Sequence, residues 1–259
     1  GATTFFGHPI LKTQTAVDLF CQTYTATTGS LSIQYATVTQ LTVPCLVSIG
    51  GTLTVSHNPG LTDISFPSLV DIGEALSVDN DNSALQSISM PSLETIGLSD
   101  GHPSPTGLVI QARTVLTLDL QSLVEVSADV SISVGTNATS LDLSSLADVA
   151  GALNLSGPSS ISSIPLPALS QVGDSISITS LGLALLSAPN LLTVGNIFNV
   201  VGNASLTAVD LPQLDSVGSN FIITNNSLLP TSDAEALRDQ VQAGSGIGGT
   251  VTISGNGPG

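Results

Sequence analysis

Short runs of alternating apolar and polar residues recur along the chain. They are clearest in "TLTVS" (52–56), "SISIT" (175–179), "FIIT" (221–224) and "TVTIS" (250–254). Because the side chains of a β-strand point alternately to its two faces, this period of two predicts short strands with one buried face. Most of the runs follow a recurring phrase, which appears as "FPSLVDIG" (66–73), "MPSLETIG" (90–97), "LPALSQVG" (166–173) and "LPQLDSVG" (211–218).

The phrase and the run together form a repeat. The repeat is about 23 residues long and carries Leu or Ile at fixed offsets, which is typical of a leucine-rich or β-helical solenoid. One unit alone cannot bury its apolar residues, whereas stacked units can. We therefore predict a mainly β fold, a leucine-rich-repeat or β-helix-like solenoid of about nine coils of ~23 residues with short helical caps.

Three special positions recur within the unit. Pro is predicted to form a corner, since it fixes φ and cannot donate to a ladder. Gly at the end of the phrase is predicted to take a positive φ in a tight turn, and Asn after the strand to satisfy turn carbonyls. The glycines are Gly50, Gly73, Gly97, Gly173, Gly195 and Gly218, and the asparagines are Asn58, Asn80, Asn203 and Asn225.

The two ends depart from the repeat, as capping units do. We divide the chain into an N-terminal segment and cap (1–28), solenoid repeats (29–227) with a loop insertion (98–107), and a C-terminal helical cap with a last strand (228–259). "TAVDLFCQ" (15–22) predicts a short helix with Thr15 as N-cap. "TSDAEALRDQVQAG" (231–244) predicts a helix with a Ser232–Glu235 capping box, ended by Gly244.

Charge narrows the range of partners. Lys and Arg number 3 against 19 Asp and Glu, which gives a net charge of −16. Nucleic acid and anionic lipid surfaces both require clustered basic residues, so we predict neither as a partner. The absence of an apolar run of about 18 residues predicts no membrane span.

The two cysteines, Cys21 and Cys45, admit two interpretations. They are either two buried thiols or a disulfide, and the extracellular character of the rest of the chain favours the disulfide. In the chain-entropy model a disulfide that closes a loop of this size would contribute about 3 kcal/mol to stability.

The wording "GGTLTVSHNPGLTDISFPSLVDIG" (50–73), followed by its copies, resembles a known family. It is similar to the receptor-L-domain-like leucine-rich repeats of fungal GPI-anchored cell-wall organisation proteins and of some bacterial surface proteins. The resemblance covers roughly residues 29–257 and implies an extracellular, non-enzymatic protein of a wall or envelope. One departure is Ser232, where such caps often carry a cysteine.

Catalytic motifs are absent from the sequence, and we predict no enzyme. No G-x-S-x-G elbow, P-loop or paired zinc-ligand motif occurs, and the three histidines, His8, His57 and His102, are scattered. Hydrolysis by paired carboxylates would be expected to use a groove lined with aromatic residues, but aromatic content is 3%.

Carboxylates offer the best candidate for a metal site. In the repeat register, Asp119 and Asp142 occupy one column of neighbouring coils, and Glu125 and Asp148 occupy a second. Like charges about 4.8 Å apart repel unless a cation relieves them, so the hypothesis is a calcium site. The alternative is a solvated acidic edge. Asp79 also has a calcium-loop-like spacing to Asp81, which we interpret as a turn.

Surface chemistry supplies two further candidates. Asn137, Asn154, Asn203 and Asn225 head glycosylation sequons, although the last two also fall in the turn-Asn column. The outward position of the strands reads Thr54, Ser77, Val109, Ser131, Asn154, Ser177, Asn199, Ile222 and Thr252. This ladder is small and rich in hydroxyls, and we expect it to contact polysaccharide; it lacks the regularity expected of an ice-binding face.

The function predicted from the sequence is a secreted or cell-surface structural or binding solenoid of a wall, sheath or surface layer. Its partners would be polysaccharide, a wall or matrix protein, or the protein itself. One alternative is a filament or matrix subunit that stacks through open solenoid ends. A second is an adhesin that depends on a cation at the acidic edge.

Overall fold

A computed structural model describes residues 3–97, 107–136, 138 and 141–258 of the protein. The described residues form two helices, α1 (Gln14–Cys21) and α2 (Thr231–Ala243), and 27 strands. Most of the predicted loop insertion lies outside the described residues, as does Asn137.

The strands are short, and most have two to four residues. In chain order they are β1 Thr4–Phe5, β2 Ala26–Thr27, β3 Leu31–Gln34, β4 Gln40–Thr42, β5 Ser48–Ile49, β6 Leu53–Ser56, β7 Asp63–Ser65, β8 Asp71–Ile72, β9 Leu76–Val78, β10 Ser87–Ser89, β11 Thr95–Ile96, β12 Leu108–Ala112, β13 Thr117–Asp119, β14 Glu125–Val126, β15 Val130–Val134, β16 Asp148–Val149, β17 Leu153–Ser156, β18 Gln171–Val172, β19 Ile176–Thr179, β20 Leu185–Ser187, β21 Thr193–Val194, β22 Phe198–Val201, β23 Ala208–Asp210, β24 Ser216–Val217, β25 Phe221–Thr224, β26 Gly246–Ile247 and β27 Val251–Ser254.

These strands stack into parallel ladders. The ten-stranded sheet has the order β3-β6-β9-β12-β15-β17-β19-β22-β25-β27, so each coil adds one strand beside the strand of the coil before it. A second sheet contains eleven two-residue strands, and a third side carries a four-stranded and a two-stranded sheet. The result is a β-solenoid of about nine turns spaced about 23 residues apart, which confirms the predicted fold class.

The core lies between the ladders and is almost wholly aliphatic. Alternate residues of the long strands are buried from β3 to β25, as Leu31 and Ile33 of β3 show. The equivalent residues of neighbouring coils lie above one another, and the rings of Phe198 and Phe221 stack with centroids 5.3 Å apart. Stacking therefore buries apolar surface that a single coil would expose to water.

A second ladder, of asparagine side chains, runs through the turn that follows the ten-stranded sheet. The Nδ2 of Asn203 donates to the carbonyl of Ile178 in the preceding coil (3.0 Å), and its Oδ1 accepts from the backbone N–H of Leu181 (3.0 Å). Each ladder residue repeats this pattern on the coil before it. The ladder residues are Asn58, Asn82, Asn203, Asn226 and Asn256.

The predicted asparagine column was therefore partly wrong. Asn58 and Asn203 belong to the ladder, but Asn82 and Asn226 take the places predicted for Asn80 and Asn225. Asn225 precedes the ladder residue and adopts a left-handed conformation (φ 58°). Asparagine tolerates the left-handed region better than most residues, so the backbone conformation, and not hydrogen bonding to the preceding coil, accounts for Asn225 in the turn.

The reason predicted for the phrase-ending glycines was also largely wrong. Of the six, Gly97 has a positive φ (90°). At Gly195 the constraint is instead the close approach of the coils, because an added Cβ would lie 1.9 Å from the carbonyl oxygen of Gly173. At Gly173 and Gly218 an added Cβ would likewise clash with a carbonyl oxygen of the preceding coil.

Both helices form where predicted but begin differently. Thr13, not Thr15, caps α1, and its hydroxyl accepts from the N–H of Ala16 (3.1 Å). Pro230 precedes α2 without a side-chain cap, so the Ser232–Glu235 capping box is not formed. Gly244 ends α2 as predicted.

The helices lie in the first and last coils of the solenoid. α1 buries Val17 and Phe20, and α2 buries Ala234, Leu237 and Val241. Across the part of the chain that the structure describes, neither helix is long and apolar enough to cross a bilayer.

Candidate functional site

The outward column of the ten-stranded sheet is one candidate surface. Strand pairing places Ser32, Thr54, Ser77, Val109, Ser131, Asn154, Ser177, Asn199, Ile222 and Thr252 in one register. This is the predicted column, extended by Ser32. Nearly all its members are half-buried by their neighbours, and Asn199 Nδ2 donates to Ser177 Oγ (3.2 Å). The face therefore presents short hydroxyl and amide groups, interrupted by the aliphatic side chains of Val109 and Ile222.

The four candidate metal ligands fall into two separate pairs. Asp119 bridges to Asp142, and Glu125 pairs with Asp148, as the repeat register predicts. Within the described ranges, these four carboxylates do not join any group of three potential ligands whose donor atoms lie within 4.8 Å of one another. The structure thus brings together each pair but not the set of four.

The carboxylates of the acidic columns have other partners. Asp142 Oδ1 accepts from the backbone N–H of Ser144 (2.9 Å), which fixes the turn that follows it. Asp119 Oδ2 accepts from the hydroxyl of Ser89 (3.3 Å), and Asp148 accepts from the side-chain amide of Gln171. These contacts fit a solvated acidic edge, the alternative that we set against a calcium site.

A different cluster holds a mixed set of metal-ligating groups. His57, Asp79 and Asp81 each present a ligand atom within 4.8 Å of the other two. The Nε2 of His57 lies 3.3 Å from Asp81 Oδ2, and both side chains are at least half exposed. Sequence reasoning interpreted the two aspartates as a turn and treated the histidine as isolated.

The signal that would have found this cluster is the repeat itself. His57 directly follows β6 and Asp79 directly follows β9 in the next coil. Because Val55 pairs with Val78, the two residues lie one position apart in the repeat register. Local motif searches miss such a set, because the ligands are separated by one coil and not by one helical turn.

The two cysteines lie together at the N-terminal end. Cys21 and Cys45 form a disulfide with their Cα atoms 5.3 Å apart. The bridge ties the last residue of α1 to the first full coil. Beside it, the rings of Phe5, Phe20 and Tyr24 pack against one another with centroids 5.1 to 5.7 Å apart.

The sequon asparagines differ in accessibility. Asn203 is fully buried and its amide is engaged in the ladder, so the folded structure leaves no room for a glycan there. Asn225 is exposed and Asn154 is half-buried on the outward column. Asn137 lies outside the described residues.

No family model, curated protein or solved structure matches the chain. The resemblance to receptor-L-domain-like repeats therefore stays a prediction from the sequence.

Proposed function

We propose that the protein is a non-enzymatic structural or binding solenoid of an extracellular wall, sheath or surface layer, and that it contacts polysaccharide or a matrix protein through the outward column. The observation that carries this proposal is the continuity of that column across ten strands. A flat ladder of hydroxyl and amide groups matches the repeating hydroxyls of an extended polysaccharide.

Two physical features support binding at this face. Serine and threonine side chains are short and stand on a backbone that strand pairing fixes, so little conformational entropy is lost when they bind a ligand. Adjacent strands lie about 4.8 Å apart, so the donor and acceptor groups repeat at a fixed spacing along the solenoid. Rigid presentation of this kind favours an extended, repetitive partner.

Two further features support an extracellular setting. The disulfide between Cys21 and Cys45 is stable in an oxidising compartment. The net charge of −16 with 3 basic residues favours a soluble surface that avoids nucleic acid.

The test is co-sedimentation with insoluble polysaccharides of different linkage, such as cellulose, chitin and a β-1,3-glucan. The variant Ser177→Arg/Asn199→Arg places two bulky cations on the outward column and is expected to lose binding. The control variant, Gln171→Arg/Thr193→Arg, makes the same charge change on the eleven-stranded sheet of the same two coils and is expected to bind like the wild type.

Two results would contradict the proposal. One is that no polysaccharide sediments the wild-type protein. The other is that the two double variants lose binding equally, since the loss would then reflect net charge and not the outward column.

Self-assembly through the solenoid ends is the second candidate, and the C-terminal edge favours it. In the described part of the chain β27 pairs with β25 on one side alone, and its residues are exposed or half-buried. An open edge strand is a template for another chain. The other end is less accessible, because the N–H of Ser32 in β3 donates to Pro9 and its carbonyl accepts from Leu11.

Light scattering with calcium and then with chelator separates these alternatives. A mass that stays at one chain, 26.0 kDa, in both conditions would contradict both end-to-end assembly and calcium-driven association. A large mass in both conditions would favour assembly through the ends, and a mass that depends on calcium would favour the cation-dependent adhesin.

A further inference from the structure

We propose that His57, Asp79 and Asp81 form a binding site for a divalent first-row transition-metal ion, with Zn²⁺ as the reference ion. The site is independent of the outward column and of the acidic columns. It lies where the chain leaves the ten-stranded sheet, next to the N-terminal part of the asparagine ladder.

One extra residue in the turn after β9 creates the cluster. Val55 pairs with Val78, and the ladder residues Asn58 and Asn82 are hydrogen-bonded to each other (2.9 Å). Asn58 follows Val55 by three positions, whereas Asn82 follows Val78 by four. The longer turn therefore contains both Asp79 and Asp81, at the level of His57 in the preceding coil.

The distances suit a shared ion. Zinc binds imidazole nitrogen and carboxylate oxygen at about 2.0–2.2 Å, so two ligand atoms of a tetrahedral site lie about 3.4 Å apart. The observed separation of His57 Nε2 and Asp81 Oδ2 is 3.3 Å. A carboxylate oxygen of Asp79 lies within 4.8 Å of both ligand atoms.

Neighbouring groups hold two of the ligands in place. Asp79 Oδ1 accepts from the backbone N–H of Asp81 and from Nδ2 of Asn82, each at 3.2 Å. Because Asn82 is buried in the ladder, it anchors this carboxylate to the core. The ring of His57 lies against the ring of Tyr35, with centroids 5.4 Å apart. Supporting contacts of this kind orient metal ligands.

The donor set selects the class of ion. Calcium takes six to eight oxygen ligands, whereas one imidazole and two carboxylates suit zinc and its neighbours in the first transition row. Two carboxylates balance the charge of a divalent ion when the imidazole is neutral. Three protein ligands leave the remaining coordination positions to water, which makes the site open to solvent.

The test is isothermal titration of the full chain with Zn²⁺ alone in a non-coordinating buffer, with Ca²⁺ titrated in parallel. We expect one equivalent of Zn²⁺ per chain and much weaker Ca²⁺ binding. His57→Asn and Asp81→Asn are each expected to weaken Zn²⁺ binding at least about 10-fold. Asn at position 57 suits the left-handed conformation seen there (φ 55°), so this variant should keep its fold, which circular dichroism checks.

Asp142→Asn is the matched control, since it removes one carboxylate from an acidic column and should leave Zn²⁺ affinity unchanged. A second readout is the NMR signal of the imidazoles, of which the chain has three. Zn²⁺ should shift the signal that His57→Asn removes. The proposal is overturned if Zn²⁺ does not bind, if His57→Asn binds it like the wild type, or if another imidazole shifts instead.

Discussion

The coils at the two ends of the solenoid and the coils in its middle share one continuous sheet but close their turns differently. In the laddered coils, which carry β3, β6, β19, β22 and β25, an asparagine of the next coil donates a hydrogen bond to a carbonyl at the start of the turn. These asparagines are buried, except that Asn256 is half-buried. The central coils carry β12, β15 and β17. No buried asparagine lies between Asn82 and Asn203 among the residues that the structure describes.

Other residues occupy the ladder position in the central coils. Strand register places Arg113, Gly135 and Pro158 there, and these residues line a surface groove. An added Cβ at Gly135 would lie 1.4 Å from the carbonyl oxygen of Arg113, so glycine is required where the coils touch. Nearby, the hydroxyl of Thr114 donates to the carbonyl of Leu85 (2.7 Å).

A ladder at the proline corner is common to both regions. Ser92 Oγ donates to the carbonyl of Pro67 (2.8 Å), and Ser145 Oγ donates to that of Gln121 (2.6 Å). Gln121 stands where the laddered coils have proline, so the hydrogen bond survives the loss of the proline. Strand pairing and the hydrogen bonds at the proline corner thus continue through the central coils, where the asparagine ladder is missing. The asparagine ladder is therefore expected to stabilise only the coils that contain it. We expect local stability to be lower in the central coils.

The largest effect is expected for Asn203→Ala. The change leaves the buried carbonyl of Ile178 and the N–H of Leu181 without their partner, and each unsatisfied group costs about 1–3 kcal/mol, or about 4 kcal/mol together. The free energy of unfolding from urea titration measures the loss. Asn154→Ala in a central coil is the control and should change it by less than about 0.5 kcal/mol. Equal losses of stability in the two variants would show that an asparagine of the ladder contributes no more than an asparagine on the sheet surface.

Removal of the disulfide by Cys21→Ser/Cys45→Ser should lower stability by about 3 kcal/mol, because the bridge closes a loop with a sequence separation of 24. The loss should be concentrated in the N-terminal laddered coils. Limited proteolysis before and after reduction locates it, and cleavage that begins in the C-terminal coils would contradict this account.

Gly195→Ala should cost about 2 kcal/mol, since the new Cβ overlaps the carbonyl of Gly173 and the coils must shift. Gly60→Ala is the matched control, because an added Cβ there meets open space. The central coils carry Ala150 in the same column as Gly195, and nothing in the structure explains why alanine is accepted there. Melting temperatures of both variants measure the difference. If Gly195→Ala melts like the wild type, coil spacing adjusts freely.

The smallest effect is expected in the acidic columns of the central coils. Asp142→Asn keeps the acceptor for the N–H of Ser144 and removes repulsion from Asp119, which should raise stability by a few tenths of a kcal/mol. The gain should vanish at about 1 M salt, where the screening length falls to about 3 Å. A loss of stability would instead indicate that the charge at this position is structurally required.

Much of the fold could be predicted because coil length is nearly constant. A fixed repeat places equivalent positions in one ladder, so the outward column and both acidic pairs have the predicted register. The predicted asparagine column was misplaced at Asn80 and Asn225 because each turn holds a second asparagine one or two residues further on. Hydrogen bonding across the coils decides between the two. The Gly195 constraint was misjudged because it comes from the preceding coil and not from local backbone conformation.

The candidate metal cluster was harder to find. His57 and Asp81 meet because the turn after β9 is one residue longer than its neighbours, and that excess is visible only when the ladder fixes the register. The N-cap of α1 was predicted wrongly for a simpler reason. Thr13 and Thr15 are chemically equal candidates. The rotation of α1 is set by contacts distant in sequence, namely the burial of Val17 and Phe20 and the hydrogen bonds between Gln14 and the backbone of Thr42.

Hydrogen–deuterium exchange resolved by strand tests the central claim most directly. Strands β12 and β15 have five residues, whereas β19 and β22 have four, so strand length alone would make the central coils the slower to exchange. If buried asparagines set local stability, the amides of β19 and β22 will exchange more slowly than those of β12 and β15. Slower exchange in β12 and β15 would contradict the account.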